Sequence, residues 1–430
     1  MFMKIFQKIS SFYDGHKNII TNFVWRALQI FGKQGVNFVI FLICAKLLNA
    51  YDFGIYNYIL AVIFFLALFG DFGISASVSK YVAEYAASKK EKLSLILFNV
   101  ILIIVIFSVV ASIFILIFGK YFFGGNFSYI AYSLPLLFFY PLSSILDGYY
   151  RGLNNFKKLS LIYLISSLFL VVVAFFITKK FGLLGAILSQ NIYYIILSIV
   201  LFASIKKIKI SLNREIIKEI GKYAILTGII SVSYFLYSRF DILILEKFNL
   251  IKEIGYYEMI NKVIMLATLP FLILANVVAP IISNYFINND WVKIYEKFKK
   301  YLIYSFIGSV LMAIGIFIFF PILLKHFLPN FYNTEVLILL NYLLIVFIFQ
   351  KVADVIGNGF IFYTGHVKMN MVLMLIFGAL NVFLSYYFIS SYGFIGIGYS
   401  KIICVIFYST LLLLVYKYKL KIKFIKHLVN

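Results

Sequence analysis

Charged side chains are scarce in this sequence, and acidic ones are the scarcest: of 430 residues, 13% are charged and only 16 are Asp or Glu. A soluble domain carries about 25% charged residues, so a water-soluble globular fold is excluded. Cysteine is nearly missing. Cys44 and Cys404 both lie inside apolar runs, which leaves no disulfide framework and no cysteine-built metal site. The histidines His16, His326, His366 and His427 are scattered near the ends of apolar runs, and no DxD-like or Ser/His/Asp grouping occurs. The sequence thus offers no catalytic residues, no metal site and no cofactor site, and a transporter rather than an enzyme is expected. No loop is long enough to form a separate domain.

What is present is apolar surface. The chain is 63% hydrophobic and 20% aromatic, with a mean hydropathy of +1.00. Leu93 to Phe118 runs 26 residues without a charge, longer than a buried soluble helix needs. Long apolar runs, rather than short alternating segments, exclude a β-barrel. The expected class is an all-α integral membrane protein. Twelve spans are predicted, at roughly 21–48, 54–83, 93–118, 127–150, 159–178, 183–205, 222–246, 254–287, 301–324, 334–361, 369–389 and 394–416. The basic N-terminus and the long apolar segment after it read as retained, not as a cleaved signal peptide.

The net charge of +23 does not point to nucleic acid, because the basic residues punctuate the apolar runs. Of the Lys and Arg residues, 26 fall in loops and termini on one side, 7 on the other, and 6 within spans. This asymmetry predicts a cytoplasmic membrane protein with both termini in the cytoplasm. The Lys-rich stretch from Ile205 to Lys222 divides the chain near its middle and predicts an amphipathic helix on the inner leaflet.

The first span carries a polar stripe. Asn22, Arg26, Gln29, Lys33 and Asn37 fall within an arc of about 80° on one helix face. A cation near mid-bilayer costs roughly 2.5–3.5 kcal/mol on insertion scales, so the stripe must face water, a partner charge or a ligand. Arg26 has the alternative of snorkelling to the inner surface. The halves of the chain echo each other. Gly54 matches Gly255, Gly182 matches Gly393 and Gly152 matches Gly365, at offsets of 201, 211 and 213. Such ordered echoes predict a duplication: a six-helix lobe at 1–210 and another at 211–430. Six spans is an even number, so the lobes relate by an axis along the membrane normal, with a path between them. Thr227, Ser231, Tyr234, Ser238 and Asp241 form a second stripe on span seven, and an offset of 201 carries Thr227, Tyr234 and Ser238 onto positions 26, 33 and 37.

Further charges lie within the spans. Arg239 and Asp241 are two residues apart and cannot pair directly. Glu258 and Lys262 are spaced for an intrahelical ion pair, as are Lys351 and Asp354. Asp147 and Arg151 read as an interfacial pair, and Lys401 lies about two turns into span twelve. Cations exceed acids in the spans, so the substrate is expected to be anionic, with phosphate the natural partner of Lys and Arg. Arg26, Lys33, Asn37, Arg239 and Lys351 are the candidate substrate-binding residues. Asp71, Asp241, Glu258 and Asp354 are the candidates for coupling to a proton or sodium ion. Pro135, Pro141, Pro270, Pro280 and Pro321 allow bends in spans four, eight and nine.

Several segments carry a resemblance. Lys46-Leu47-Leu48-Asn49-Ala50-Tyr51-Asp52-Phe53-Gly54-Ile55-Tyr56 resembles the connection between spans one and two of bacterial polysaccharide flippases. Gly70-Asp71-Phe72-Gly73 with Ser79-Lys80-Tyr81 resembles the end of their second span. Tyr150-Arg151-Gly152 with Phe156, and Gly182 with Gly185, resemble their loop after span four and the start of their sixth span. The resemblance covers nearly the whole chain and points to the Wzx-type branch of the multidrug/oligosaccharidyl-lipid/polysaccharide exporter superfamily.

It implies a MATE-like exporter fold of twelve helices around a cationic cavity. It also implies transfer of an undecaprenyl-diphosphate-linked oligosaccharide between leaflets, driven by an ion gradient, with a polysaccharide polymerase and a chain-length regulator as candidate partners. A multidrug or cation antiporter of the same superfamily would favour an acidic cavity. A membrane polymerase or glycosyltransferase would carry a large outward loop, which this sequence lacks. A major-facilitator carrier would carry an Asp-Arg pair between glycines after span two, where this chain reads Ala86-Ala87-Ser88-Lys89-Lys90-Glu91-Lys92.

Overall fold

The computed structural model describes residues 25, 29, 32, 34–88, 90–205 and 208–429, without the side chains of 90, 276, 277, 280 and 422–429. Arg26 and Lys33, the two cations of the first-span stripe, and Asn22 lie outside the described residues. Among the described residues the structure is helical, with no strand. The helices are α1 (Gln34–Leu47), α2 (Ala50–Asp71), α3 (Ile74–Ser88), α4 (Lys90–Phe123), α5 (Phe127–Tyr132), α6 (Pro135–Gly152), α7 (Phe156–Ala203), α8 (Arg214–Ser238), α9 (Asp241–Lys247), α10 (Ile251–Ile287), α11 (Trp291–Phe327), α12 (Thr334–Gly359), α13 (Val367–Tyr392) and α14 (Gly396–Val429). Each predicted span corresponds to one or two of these helices. Eight helical stretches among the described residues are long and apolar enough to cross a membrane, two of which hold a pair of predicted spans each. The protein is an all-α, multi-pass membrane protein.

Three spans that the sequence draws as continuous are broken. The second span stops at Asp71 and resumes at Ile74, with Phe72 and Gly73 at φ 28° and 77°. Asp71 serves the break: its Oδ1 accepts from the Ser75 N–H at 2.7 Å, capping α3. The seventh span breaks at Arg239–Phe240, and Asp241 opens the short α9. A third break, at Ser133–Leu134, precedes Pro135 at the start of α6, where proline has no N–H to lose. Pro141 and Pro321 sit inside continuous helices.

The expected surface helix over 205–222 is corrected. Residues 208–213 are non-helical, and helix begins only at Arg214. The cause is Asn99, a buried polar side chain on α4. Its Nδ2 donates to Ser211 O at 3.0 Å, and its Oδ1 accepts from Asn213 N at 2.8 Å. The Lys209 N–H donates to Ser94 O at 2.8 Å. A buried amide is satisfied by holding the linker extended. Asn213 then caps α8 through Ile216 N at 3.0 Å.

The described residues fall into two compact units, one within Met1–Cys44 and Leu66–Gly228, the other Ala45–Phe65 and Ile229–Asn430. In the first, α3 packs on α6 and α6 on α7. Two motifs noted in the sequence meet there: Gly152 abuts the Ser79 carbonyl, where an added Cβ would lie 2.6 Å away. At the free end of this unit Lys92 pairs with Glu215 at 3.0 Å, and the Tyr85 hydroxyl donates to Glu219. In the second unit, Val278, Ile282, Ile294, Phe298, Phe360 and Tyr416 belong to one buried apolar cluster that unites α10, α11, α12 and α14.

Two of the matched glycine turns share their local geometry. Gly182 interrupts α7 at φ 55°, and Gly393 turns the chain between α13 and α14 at φ 59°. Three residues on, a Cβ at Gly185 would lie 2.2 Å from Ile177 O, and one at Gly396 would lie 2.2 Å from Phe388 O. Gly182→Gly393, Gly185→Gly396 and Ile177→Phe388 share the offset 211, so both halves build the same turn. Gly182→Ala should cost about 1–3 kcal/mol for its backbone conformation alone. Gly185→Val meets backbone as well, so its unfolding temperature in detergent should fall well below that of Gly182→Ala. Equal temperatures would contradict the close-packed turn.

Candidate functional site

Within the second unit the polar residues of spans seven, eight, ten, eleven and twelve gather into two connected groups. The break at Arg239–Phe240 sends the neighbouring charges to different partners. Asp241 turns into the core and is fully buried. Its Oδ1 accepts from Asn381 Nδ2 at 3.1 Å and Ser385 Oγ at 2.7 Å. Its Oδ2 accepts from the Tyr257 hydroxyl at 3.0 Å and from Lys401 Nζ at 2.6 Å. Lys401 Nζ also donates to Tyr237 O at 2.6 Å. Every lone-pair direction of this buried carboxylate is taken, as a charge removed from water requires.

Arg239 goes the other way. Its guanidinium lies 2.9 Å from Oε2 of Glu258, which is fully buried on α10. Oε1 of Glu258 accepts a longer contact from Asn261 Nδ2 at 3.4 Å. Lys262, one turn further along α10, is close enough to feel both charges. Glu258 therefore pairs across helices with Arg239, where the sequence suggests an intrahelical partner. Two cations here surround one carboxylate. Arg239 keeps 36% and Tyr234 51% accessible surface. Asp354 acts electrostatically on Tyr234, linking this group to the Lys351–Asp354 pair on α12.

In the first unit Asp71 and Asp147 lie on a second polar chain. Asp71 Oδ2 accepts from Ser75 Oγ at 2.8 Å and Ser144 Oγ at 3.1 Å. Asp147 accepts from Gln29 Nε2 at 2.7 Å and pairs with Arg151 at 2.7 Å. Gln29 of the first-span stripe thus meets an acid of span four. Among the described residues, Asp147, Asp241, Glu258 and Asp354 each have a cation within 4 Å, and Asp71 is held by hydroxyls and a backbone N–H instead.

Of the sequence candidates, Arg239 pairs with Glu258 and Lys351 with Asp354, while Asp241 is buried in the core. Asn37 is half-buried on α1. Of the second stripe, Thr227 and Ser238 bond carbonyls of their own helix. Sequence reasoning missed Lys401 as the partner of Asp241, and with it Tyr257, Asn381 and Ser385. The signal was available: an intramembrane lysine demands an acid, and Asp241, like Asp71, had no local partner.

A family model described as "Polysaccharide biosynthesis protein" matches residues 19–286. The chain belongs to the polysaccharide biosynthesis protein family. An uncharacterized membrane protein of Methanocaldococcus jannaschii is 25% identical over 392 residues, covering 85% of this chain and 89% of that protein. Solved structures of MATE transporters share the fold. An inward-facing multidrug resistance MATE transporter of the MOP superfamily superposes with a TM-score of 0.77 at 15% identity, over 93% of this chain and 98% of its own. A MOP superfamily transporter from Pyrococcus furiosus reaches 0.63 at 15% identity, over 95% and 96%.

Proposed function

We propose that the protein flips an undecaprenyl-diphosphate-linked oligosaccharide from the inner to the outer leaflet of the cytoplasmic membrane, by alternating access between six-helix lobes at 1–210 and 211–430. It serves surface polysaccharide synthesis, be it O-antigen, capsule or exopolysaccharide, and a proton or sodium gradient drives it. Both termini face the cytoplasm. The observation that supports this reading is the presence of two cations, Arg239, which keeps 36% of its side-chain surface accessible, and Lys262, near the buried carboxylate Glu258. A net positive, partly desolvated site suits a diphosphate, because charge-assisted hydrogen bonds strengthen as water is excluded. Arg26 and Lys33 of the first span are further candidates for binding the diphosphate. The sugar would follow the polar path while the polyprenyl tail stays among lipid chains.

Lys33→Ala is expected to abolish surface polysaccharide while the protein remains inserted and monodisperse. Wild-type polysaccharide from cells carrying only that variant would overturn the assignment of Lys33. Collapsing proton and sodium gradients in vesicles should stop flipping, and an unchanged rate would reject ion drive.

A further inference from the structure

The kink at Gly182 folds α7 back on itself, and the far ends of its two arms meet again. There Lys158 Nζ donates to Ser204 O at 3.0 Å. Behind this contact a groove of about 260 Å³ runs between the arms, lined by Ile162, Ile165, Ser166, Phe169, Ile196 and Val200. Its walls are helical rows. Counted from Lys158, the residues Ile162, Ile165, Ser166 and Phe169 stand at i+4, i+7, i+8 and i+11, so the ammonium shares the face of the groove. On the other arm Ile196, Val200 and Ser204 stand at i, i+4 and i+8.

The end of the groove at Lys158 is basic. Lys158 is half-buried and Lys157 is exposed. In the chain Lys206, Lys207 and Lys209 follow Ser204, and no acid occurs between Asp147 and Glu215. Both partners of Lys158 are neutral: besides the Ser204 carbonyl, its Nζ lies 5.5 Å from the centre of the Tyr150 ring. An ammonium has three N–H donors, so this one has capacity for an anion. The depth of the groove fits a lipid of one leaflet. Phe169 lies 11 residues past Lys158, about 16 Å along the arm at 1.5 Å per residue, and one leaflet supplies about 15 Å of the hydrocarbon core. The groove is one acyl chain deep and too short for a long polyprenyl chain.

We propose that this cleft holds one anionic phospholipid of the inner leaflet, its phosphate at Lys158 and one acyl chain along Ile162, Ile165 and Phe169. Basic pockets between membrane helices on the cytoplasmic side select anionic headgroups in this way. The lipid fills the gap between the arms, which dense packing favours, and it neutralises lysines that have no acid of their own nearby in the chain. Only the word inner rests on the orientation proposed above.

The test reads lipid retention and not transport, so it can fail while the flippase reading stands, and the reverse. Delipidated protein in detergent is offered equal amounts of dioleoyl phosphatidylglycerol and dioleoyl phosphatidylcholine, and the retained lipid is counted by native mass spectrometry. One phosphatidylglycerol per chain should be retained, with a preference of about tenfold, the effect of one charge-assisted hydrogen bond. Lys158→Gln should erase the preference, whereas Lys157→Gln, off the groove face, should leave most of it. Ile165→Trp fills the groove without changing charge and should lower retention of both lipids. Ile165 is 68% exposed, so this variant keeps its core intact. Equal retention of the two lipids by the parent protein, undiminished preference in a monodisperse Lys158→Gln variant, or undiminished retention in Ile165→Trp would overturn the proposal. Displacement of the retained lipid by equimolar undecaprenyl diphosphate would also overturn it, by making the groove a substrate site.

Discussion

Lys401→Met is expected to destabilise the protein by about 3–5 kcal/mol, because it leaves the Asp241 carboxylate charged and unpaired in the core. Asp241 is fully buried and Lys401 is the only cation within 4 Å of it among the described residues. The three remaining donors, Tyr257, Asn381 and Ser385, bond the carboxylate but cannot neutralise it. Asp241→Asn/Lys401→Met removes both charges and keeps an amide to meet the donors. Replacing a buried pair by neutral groups is often close to neutral in stability, so the double variant should recover most of the loss. Thermal unfolding in detergent, followed by size-exclusion recovery after heating, reads both effects. Equal loss in the single and the double variant would show that Lys401 matters for its shape rather than its charge.

Arg239→Ala carries the second large effect, and it separates structure from transport. Alone, it leaves Glu258, which is fully buried, with Lys262 as its nearby cation, and costs less stability than Lys401→Met does. Arg239→Ala/Glu258→Gln removes the remaining buried charge and should restore folding. If Arg239 binds the anionic headgroup, the double variant stays deficient in flipping by about 10- to 100-fold, the equivalent of one charge-assisted hydrogen bond of about 1.5–3 kcal/mol. Should the double variant flip at the parent rate, Arg239 serves only to neutralise Glu258. Arg239→Lys keeps the charge but loses the planar fork, so an intermediate rate is expected from it.

Much of the fold was legible because lipid makes simple demands. A helix that crosses oil must be long and apolar, and the span boundaries follow from that rule. The matching turns at Gly182 and Gly393 were legible because such a backbone conformation admits little but glycine. The breaks at Phe72–Gly73 and Arg239–Phe240 were not, because both lie inside runs apolar enough to pass as one span. The linker was misread for a different reason. Its lysines suggest a surface helix, whereas its backbone is claimed by Asn99, more than a hundred residues earlier.

The site follows the same division. Pairs at three or four residues, such as Lys351 with Asp354 and Asp147 with Arg151, are written in helical spacing. Pairs that span helices are not. Arg239 with Glu258 and Asp241 with Lys401 depend on which way a broken helix turns its side chains. Counting charges in the spans gave their excess and sign, and tertiary packing decided which acids were neutralised in the core and which cations stayed accessible.

The central claim is that accessible intramembrane cations recognise a diphosphate. It is tested most directly by reconstituting the protein in liposomes and following two fluorescent glycolipids with the same sugar, one joined to its polyprenyl chain through a diphosphate and one through an uncharged link. The diphosphate lipid should cross at least tenfold faster than in protein-free liposomes, with the uncharged lipid near the protein-free rate. Equal rates for the two lipids would contradict the claim.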